Sequence, residues 1–129
     1  MKLLLDTHIW IWLVESPDRL GARAYKELAD SANELWLSPV STWEVLMLHR
    51  KKRLRLPADP EDWLPQALAG IKRHAPLTHE IVLVSERLGL HPDPADRFLA
   101  ATAQVHDLVL VTADQRLLGL GTIRTMANR

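Results

Sequence analysis

Short apolar runs alternate along the chain with longer stretches in which apolar residues recur at helical spacing. The runs predict strands at Lys2–Leu5, Leu35–Ser38 and Leu108–Val111, and weaker ones at Ala75–Leu77 and Thr122–Thr125. The other stretches predict helices at 9–14, from Ser16 to about Ala32, from Ser41 to about Lys51, at 59–71, from Thr78 to about Leu88 before Gly89, from Asp93 to about His106, and briefly after Asp114. Apolar strands that alternate with helices predict an α/β fold with a parallel sheet covered on both faces.

The composition is that of a folded protein without disulfides. The chain has 129 residues, 47% of them hydrophobic, with 16 Lys and Arg against 16 Asp and Glu and no cysteine. This length predicts a single domain over residues 1–129, and the apolar content excludes a disordered chain. The apolar start Met1–Leu5 ends at Asp6 with no cleavage site after it, and no run reaches the roughly 20 apolar residues of a membrane span. We therefore expect a cytoplasmic protein with no membrane association.

Four acidic residues fall at equivalent places in this pattern. Asp6 ends the first strand, and Glu44 lies in the first turn of the helix after the second. Asp96 lies in the first turn of the helix that starts at Asp93, and Asp114 follows the strand at 108–111. The carboxyl ends of parallel strands share one edge of a sheet, so these side chains should approach one another. Converging carboxylates with no His or Cys cage are the ligand set that suits Mg²⁺ or Mn²⁺.

A purely structural role is the alternative for each of these acids, because each lies where a carboxylate stabilises a helix N-terminus. Ser41 and Glu44 have the spacing of a capping box. Asp93 has the position of a helix cap with Asp96 in the following turn, and Asp114 is placed to cap the last helix. Both roles stay open for each acid alone, while four acids at one predicted edge favour a shared metal site.

Four sequence segments, in chain order, resemble a known family. They are LLLDTH at 3–8, STWE at 41–44, HPDPADR with FLAATA at 91–103, and LVTAD at 110–114. Together they are similar to the PIN domain, and specifically to the VapC toxins of bacterial toxin–antitoxin pairs, over the whole chain from Lys2. The resemblance implies a three-layer α/β/α fold around a short parallel sheet. It also implies an endoribonuclease that depends on Mg²⁺ or Mn²⁺, is neutralised by a cognate antitoxin and forms a homodimer.

The resemblance also implies roles for individual residues. The family's acidic quartet corresponds to Asp6, Glu44, Asp96 and Asp114. Asp6, Asp96 and Asp114 are then the expected metal ligands, with Asp6 and Asp96 the first choices for direct binding, while Glu44 and Asp114 hold water molecules or a second ion. The supporting positions of the motifs are Ser41, Thr112 and Asp93. Asp93 either extends the site or only caps its helix.

Binding of RNA beside an acidic site requires cations nearby. A dense basic run, His49–Arg55, follows the helix that carries Glu44, and Arg97 is next to Asp96. The candidate RNA contacts are Arg50, Lys51, Lys52, Arg53 and Arg97. The run can equally be a solvated helix end, where cations meet the negative end of the helix dipole, and Arg97 can position a neighbouring acid. The five tryptophans are expected mainly in core and interface packing.

Two other classes of protein remain as alternatives. A haloacid-dehalogenase-like phosphatase also begins with a strand that ends in an Asp, which acts as nucleophile. That family has a second Asp two residues later, where this chain has His8. A non-catalytic α/β interaction domain would use the acids only as helix caps. Metal-dependent release of shortened RNA distinguishes a nuclease from both.

Overall fold

The structure, a computed structural model, describes residues 1–88 and 93–129. Five parallel strands form one sheet in the order β3-β2-β1-β4-β5. The strands are β1 (Lys2–Leu5), β2 (Glu34–Leu37), β3 (Arg73–His74), β4 (Val109–Thr112) and β5 (Arg124–Ala127). The helices are α1 (Thr7–Glu15), α2 (Ala22–Ala29), α3 (Pro39–Arg50), α4 (Pro60–Leu68), α5 (His79–Arg87), α6 (Pro94–His106) and α7 (Gln115–Leu118). The predicted α/β class is confirmed.

Successive residues of the central strand β1 enter two different cores, because side chains alternate between the faces of a strand. Leu3 and Leu5 pack with Trp10 and Trp63 on one face of the sheet. Leu4 packs on the opposite face in a cluster that includes residues of α6 and α7. The sheet is therefore covered on both sides, as the predicted three-layer α/β/α arrangement requires, and its central strands have no polar face.

The parallel strands bring three helix N-termini to one edge of the sheet. α1, α3 and α7 begin within three residues of the ends of β1, β2 and β4. The Asp6 N–H extends the ladder by donating to the Val111 carbonyl at 3.0 Å. This edge is therefore crowded with backbone N–H groups and with the polar residues that follow each strand.

The single helix predicted from Ser16 to Ala32 is wrong. The chain makes a 3₁₀ turn at Pro17–Arg19, is extended at Leu20, and begins α2 only after Gly21. The interruption has a tertiary cause: the Gly21 N–H donates to Asn128 Oδ1 at 2.8 Å, and the Ala24 N–H donates to the Arg129 carbonyl at 2.8 Å. Bonds to the C-terminal segment replace the helical bonds that local sequence would favour.

The predicted start of the third helix is also wrong. α3 begins at Pro39, with Ser38 as its N-cap accepting a hydrogen bond from the Val40 N–H at 3.1 Å. Proline is well suited to the first helical position because its missing N–H has no partner there anyway. Ser41 is therefore buried inside the first turn, and it is not the helix cap. The capping box predicted for Ser41 and Glu44 does not exist, so Glu44 has no capping role.

Smaller differences concern the ends of elements. The third strand is Arg73–His74 instead of Ala75–Leu77, and the fifth is Arg124–Ala127 instead of 122–125. α1 begins at Thr7, and α4 ends at Leu68 despite the prediction to Ile71. The predicted stop at Gly89 lies outside the described residues. Within the described ranges, none of the helices is long and apolar enough to cross a membrane.

We expect Gly21→Ala to destabilise the protein by about 1–3 kcal/mol, the usual cost of overpacking. A Cβ at this position would lie 1.8 Å from the carbonyl carbon of Arg129, so the backbone of the C-terminal segment would have to move. Gly70→Ala is the matched control, since a Cβ there meets nothing within 4 Å. Thermal unfolding of both variants checks this, and equal melting temperatures would contradict the close packing at Gly21.

Candidate active site

The four predicted acids line one cavity at the carboxyl edge of the sheet. The cavity has a volume of about 380 Å³, and Asp6, Glu44, Asp96 and Asp114 all contribute to its wall, together with Asp93. The remaining lining residues are His8, Trp12, Ala113 and Arg116. Asp6 and Asp114 are 108 positions apart in the sequence. They line the same cavity, as the parallel strand topology predicts.

Asp6 is held rigidly by groups from two strand ends. Its Oδ1 accepts a hydrogen bond from the Thr7 N–H at 2.8 Å, and its Oδ2 accepts one from the Thr112 hydroxyl at 2.6 Å. Thr112 Oγ1 also accepts from the Asp114 N–H at 3.0 Å, which ties the two acidic loops together. Burial raises the pKa of Asp6, while the hydrogen bonds from Thr112 and Thr7 favour its charged form.

Ser41 acts through Thr7. The Thr7 hydroxyl donates to Ser41 Oγ at 2.9 Å, and both residues are buried, so this bond joins the start of α1 to the first turn of α3.

Glu44 lies one turn further along α3. Burial raises the pKa of Glu44, the Thr7 side chain opposes this by favouring the charged form, and the charges of Asp6 and Asp93 raise the pKa further. Glu44 Oε1 is buried and has no hydrogen-bond partner among the described residues.

Asp96 is a buried carboxylate whose ionised form is unfavourable in the cavity. It lies in the first turn of α6 and is only 7% exposed. Burial and the charges of the neighbouring acids, chiefly Asp93 and Asp6, together raise the pKa of Asp96 from 3.8 to about 7. Asp93 is the N-cap of α6, with its Oδ1 accepting from the Ala95 N–H at 3.0 Å. Asp93 therefore caps the helix and lines the cavity, so both roles proposed from the sequence apply to it.

Sequence reasoning missed Arg116 and gave little weight to Trp12 and His8, although all three line the cavity. Asp114 caps α7, and its Oδ1 accepts from the Arg116 N–H at 2.8 Å. The Arg116 Nε lies 3.6 Å from the same oxygen. The sequence did contain a signal for Arg116, namely its position two residues after the helix cap Asp114. A residue in the first turn of a helix that starts at this edge can face the same cavity as the cap of that helix.

The structure separates the predicted cationic contacts. Arg97 does not line the acidic cavity; its Nη1 lies 3.5 Å from Glu86 Oε1, and its Nε is buried without a hydrogen-bond partner among the described residues. Arg50 is the last residue of α3, and Lys51 is its C-cap. Within the run at 50–53, Arg53 lines a cavity that adjoins the acidic one, and Lys52 lines the next cavity along.

The donor set of the acidic cavity fits a hard divalent cation. Its oxygen donors are carboxylates, which suit Mg²⁺ or Mn²⁺, and the unpartnered oxygen of Glu44 is a buried acceptor that a cation or its water molecules would satisfy. A cation would also offset the mutual repulsion that raises the pKa of Asp96. In the described part of the chain, no three His, Asp or Glu side chains form a group that could hold an ion by themselves, so an ion bound here would keep water molecules among its ligands, as Mg²⁺ usually does.

Comparison with known proteins identifies the family. A model of the PIN domain matches residues 3–121. The chain belongs to the PIN-domain family. This PIN-domain chain is 34% identical over 117 residues to Ribonuclease VapC22 of Mycobacterium tuberculosis, an alignment that covers 89% of this chain and 88% of the relative. The family predicted from the four sequence segments is confirmed, which decides against the phosphatase alternative.

Solved structures share the fold of this PIN domain. It matches a chain of DNA-bound VapBC from Salmonella typhimurium with a TM-score of 0.74 and 14% identity, covering 100% of this chain and 99% of that one. It matches a chain of VapBC2 from Rickettsia felis, bound to a promoter DNA fragment, with a TM-score of 0.73 and 16% identity, covering 98% of both chains. At these identities the likeness concerns the fold alone.

Proposed function

We propose that this protein is a toxin-type endoribonuclease that hydrolyses RNA phosphodiester bonds with the help of Mg²⁺ or Mn²⁺. The observation that carries the proposal is the cavity lined by five carboxylates, in which the buried Glu44 Oε1 has no partner among the described residues. Helix capping explains Asp6, Asp93 and Asp114, which are the N-caps of α1, α6 and α7, but it does not explain Glu44, which lies well inside α3. The similarity to a relative named as a ribonuclease supports the same assignment.

Asp6, Asp96 and Asp114 are the proposed metal ligands. A bound divalent cation supplies Lewis acidity toward a phosphoryl oxygen and lowers the pKa of water. The protein's own contribution is to hold the Asp6 carboxylate with one hydrogen bond on each oxygen, which leaves each oxygen a further lone pair. Thr112 and Ser41 are positioning residues, since their hydroxyls fix Asp6, Asp114 and Thr7 at this edge.

Glu44 and Asp114 are the proposed residues that orient the attacking water. In the hydrolysis, the water oxygen bonds to phosphorus in line with the leaving ribose oxygen, which departs with the electron pair and takes up a proton. A carboxylate on the cavity wall orients the water by accepting a hydrogen bond from it. The raised pKa of Glu44 makes this residue a better proton acceptor than an ordinary glutamate.

The function is tested by incubating the purified protein with total RNA in Mg²⁺ or Mn²⁺ and in EDTA. We expect discrete fragments that disappear in EDTA, and a loss of roughly a hundredfold or more in Asp6→Asn, because removal of one ligand charge weakens the ion and its alignment. Asp18→Asn, an exposed acid in the 3₁₀ turn, is the control. Intact RNA in every sample of antitoxin-free protein would leave the non-catalytic interaction domain as the better description.

We also propose a cognate antitoxin as the protein partner and the cytoplasm as its location. Two structural neighbours are chains of VapBC assemblies, as their names state. This protein aligns with 98% and 99% of the length of those two chains. An antitoxin that blocks the acidic cavity would suppress the cleavage described above. If co-expression of a candidate antitoxin restores the growth of cells that produce this protein, that result would support the proposed toxin–antitoxin pair.

A homodimer is proposed through the face formed by α3, α5 and the N-terminal half of α6. This face carries an apolar cavity of about 440 Å³, which is lined in part by the exposed side chains of Trp43 and Leu77. The same helices carry three further exposed apolar side chains, Leu46 on α3 and Val82 and Leu83 on α5. Exposed apolar surface of this kind marks an interaction surface. The cavity also includes Pro94 and Ala95, next to Asp96, so a second copy would lie beside the active site.

Leu83→Glu is expected to convert the dimer to a monomer, because Leu83 is 59% exposed in one copy and a buried unpaired charge would oppose association. Tyr25→Glu on α2 is the control, since Tyr25 is a comparably exposed large side chain on another helix. Sedimentation velocity gives the oligomeric state of each. A wild-type monomer, or a dimer that survives Leu83→Glu, would contradict this interface.

A further inference from the structure

A second cavity adjoins the acidic one and differs from it in charge. Its volume is about 480 Å³, and it shares His8 and Trp12 with the acidic cavity. Three arginines line it, Arg19, Arg53 and Arg55, with an apolar floor of Ile11, Leu48 and Leu54 and the polar residues Glu15 and Ser16. Two ring side chains, His8 and Trp12, are therefore shared by a cavity rich in carboxylates and a cavity rich in guanidinium groups.

The end of α3 places the arginines at this cavity. Lys52 has a left-handed backbone with φ of 57°, its N–H donates to the His49 carbonyl at 3.0 Å, and the Arg53 N–H donates to the Leu48 carbonyl at 2.9 Å. This pair of bonds is a Schellman motif, which reverses the chain sharply after a helix. As a result Arg53 and Arg55 line the cavity, whereas Arg50 and Lys51, although adjacent in sequence, do not.

The aromatic wall is a stacking platform with cations around it. Trp12 is half-buried, and its ring centroid lies 5.9 Å from that of His8. The Arg19 guanidinium covers one face of the Trp12 ring, 4.9 Å from its centroid, so a stacked base would use the other face or displace Arg19. Glu15, the acid that lines this cavity, accepts a hydrogen bond from Trp63 Nε1 at 2.7 Å, so one of its two carboxylate oxygens has a partner outside the arginine group. Aromatic faces bind unstacked bases, and arginines bind phosphates in a fork geometry.

We propose that this cavity binds the single-stranded RNA segment that adjoins the scissile phosphate, with a base against Trp12 and phosphates at Arg53 and Arg55. The inference rests on the proposed nuclease function. The acidic cavity holds one arginine, Arg116, against five carboxylates, and it repels a polyanion, whereas the adjoining cavity holds three arginines and is continuous with it through Trp12 and His8. A base on Trp12 would set the register of the strand at the cleavage site.

Binding is measured without cleavage, by fluorescence anisotropy in EDTA, with a labelled single-stranded RNA of about 12 nucleotides. At low salt we expect the double variant Arg53→Ala/Arg55→Ala to bind roughly tenfold more weakly, and the slope of log affinity against log salt to fall by about 1.4, since each phosphate contact on a single strand contributes about 0.7. Trp12→Leu should weaken binding roughly fivefold and leave the salt slope unchanged. Thermal unfolding confirms that each variant is folded.

The control Lys26→Ala/Lys72→Ala removes two exposed positive charges on other elements. We expect it to weaken binding less than about twofold, because a local contact and not net charge sets the affinity. Equal losses in the control and in the arginine pair would overturn the proposal, as would unchanged RNA affinity in the cavity variants. If the wild type binds RNA through this cavity but leaves it intact with metal, the nuclease proposal fails and the RNA site stands.

Discussion

Asp96→Asn is expected to lower metal-dependent RNA cleavage roughly a hundredfold or more while it makes the metal-free protein more stable by about 1–3 kcal/mol. Both effects come from the same charge. Asp96 is buried in a cavity with four other carboxylates, and its pKa of about 7 measures how unfavourable its ionised form is there. Asparagine removes the charge that a metal needs and relieves the repulsion that the folded chain tolerates.

The measurement combines a cleavage assay in Mg²⁺ with chemical denaturation in EDTA at pH 8, where Asp96 of the wild type is ionised. Asp62→Asn, an exposed acid in the first turn of α4, is the matched control and should change neither quantity beyond about 0.5 kcal/mol. Loss of both activity and stability in Asp96→Asn would mean that Asp96 is a structural residue of α6. Retained activity would remove it from the metal site.

The second large effect concerns pH. Without metal, the contribution of Asp96 to stability should fall as the pH rises from about 4 to about 7, by up to about 4 kcal/mol at 1.4 kcal/mol for each pKa unit. The sign follows from the raised pKa: the folded state holds the proton over this range while the unfolded state has lost it, so raising the pH favours unfolding. Asp6 and Glu44, whose pKa values are also raised, change stability in the same direction.

Added Mg²⁺ should reverse this trend, because a cation takes the place of the proton and binds more tightly once the carboxylates are ionised. We expect the stabilisation by Mg²⁺ to be small near pH 5 and to grow through pH 7. Denaturation curves at several pH values, with Mg²⁺ and with EDTA, check this, and the difference between wild type and Asp96→Asn isolates the contribution of one residue. A stabilisation by Mg²⁺ that is equal at pH 5 and pH 8, or equal in the variant, would contradict a carboxylate metal site.

Much of the site was predictable because its residues follow from local rules. Asp6 and Asp114 come directly after apolar strands, and parallel strands necessarily bring such positions to one edge. Asp93 and Asp114 have the sequence context of helix caps, and both do cap their helices. Glu44 was less certain, since the sequence allowed a capping box with Ser41. The structure removed that explanation by starting α3 at Pro39.

The sequence by itself determined the three central strands, the order of the elements and the acids at the carboxyl edge, because these depend on apolar periodicity and on residues within a few positions of each other. Only the tertiary structure decided the features that depend on distant segments. The helix predicted from Ser16 is interrupted at Gly21 because residues 128 and 129 form hydrogen bonds with that segment. Arg53 lines the arginine-rich cavity beside the acidic one, and Arg50 does not, because the chain reverses at Lys52. The buried oxygen of Glu44 and the raised pKa of Asp96 arise in the same way, since burial and repulsion exist only once remote carboxylates share one cavity.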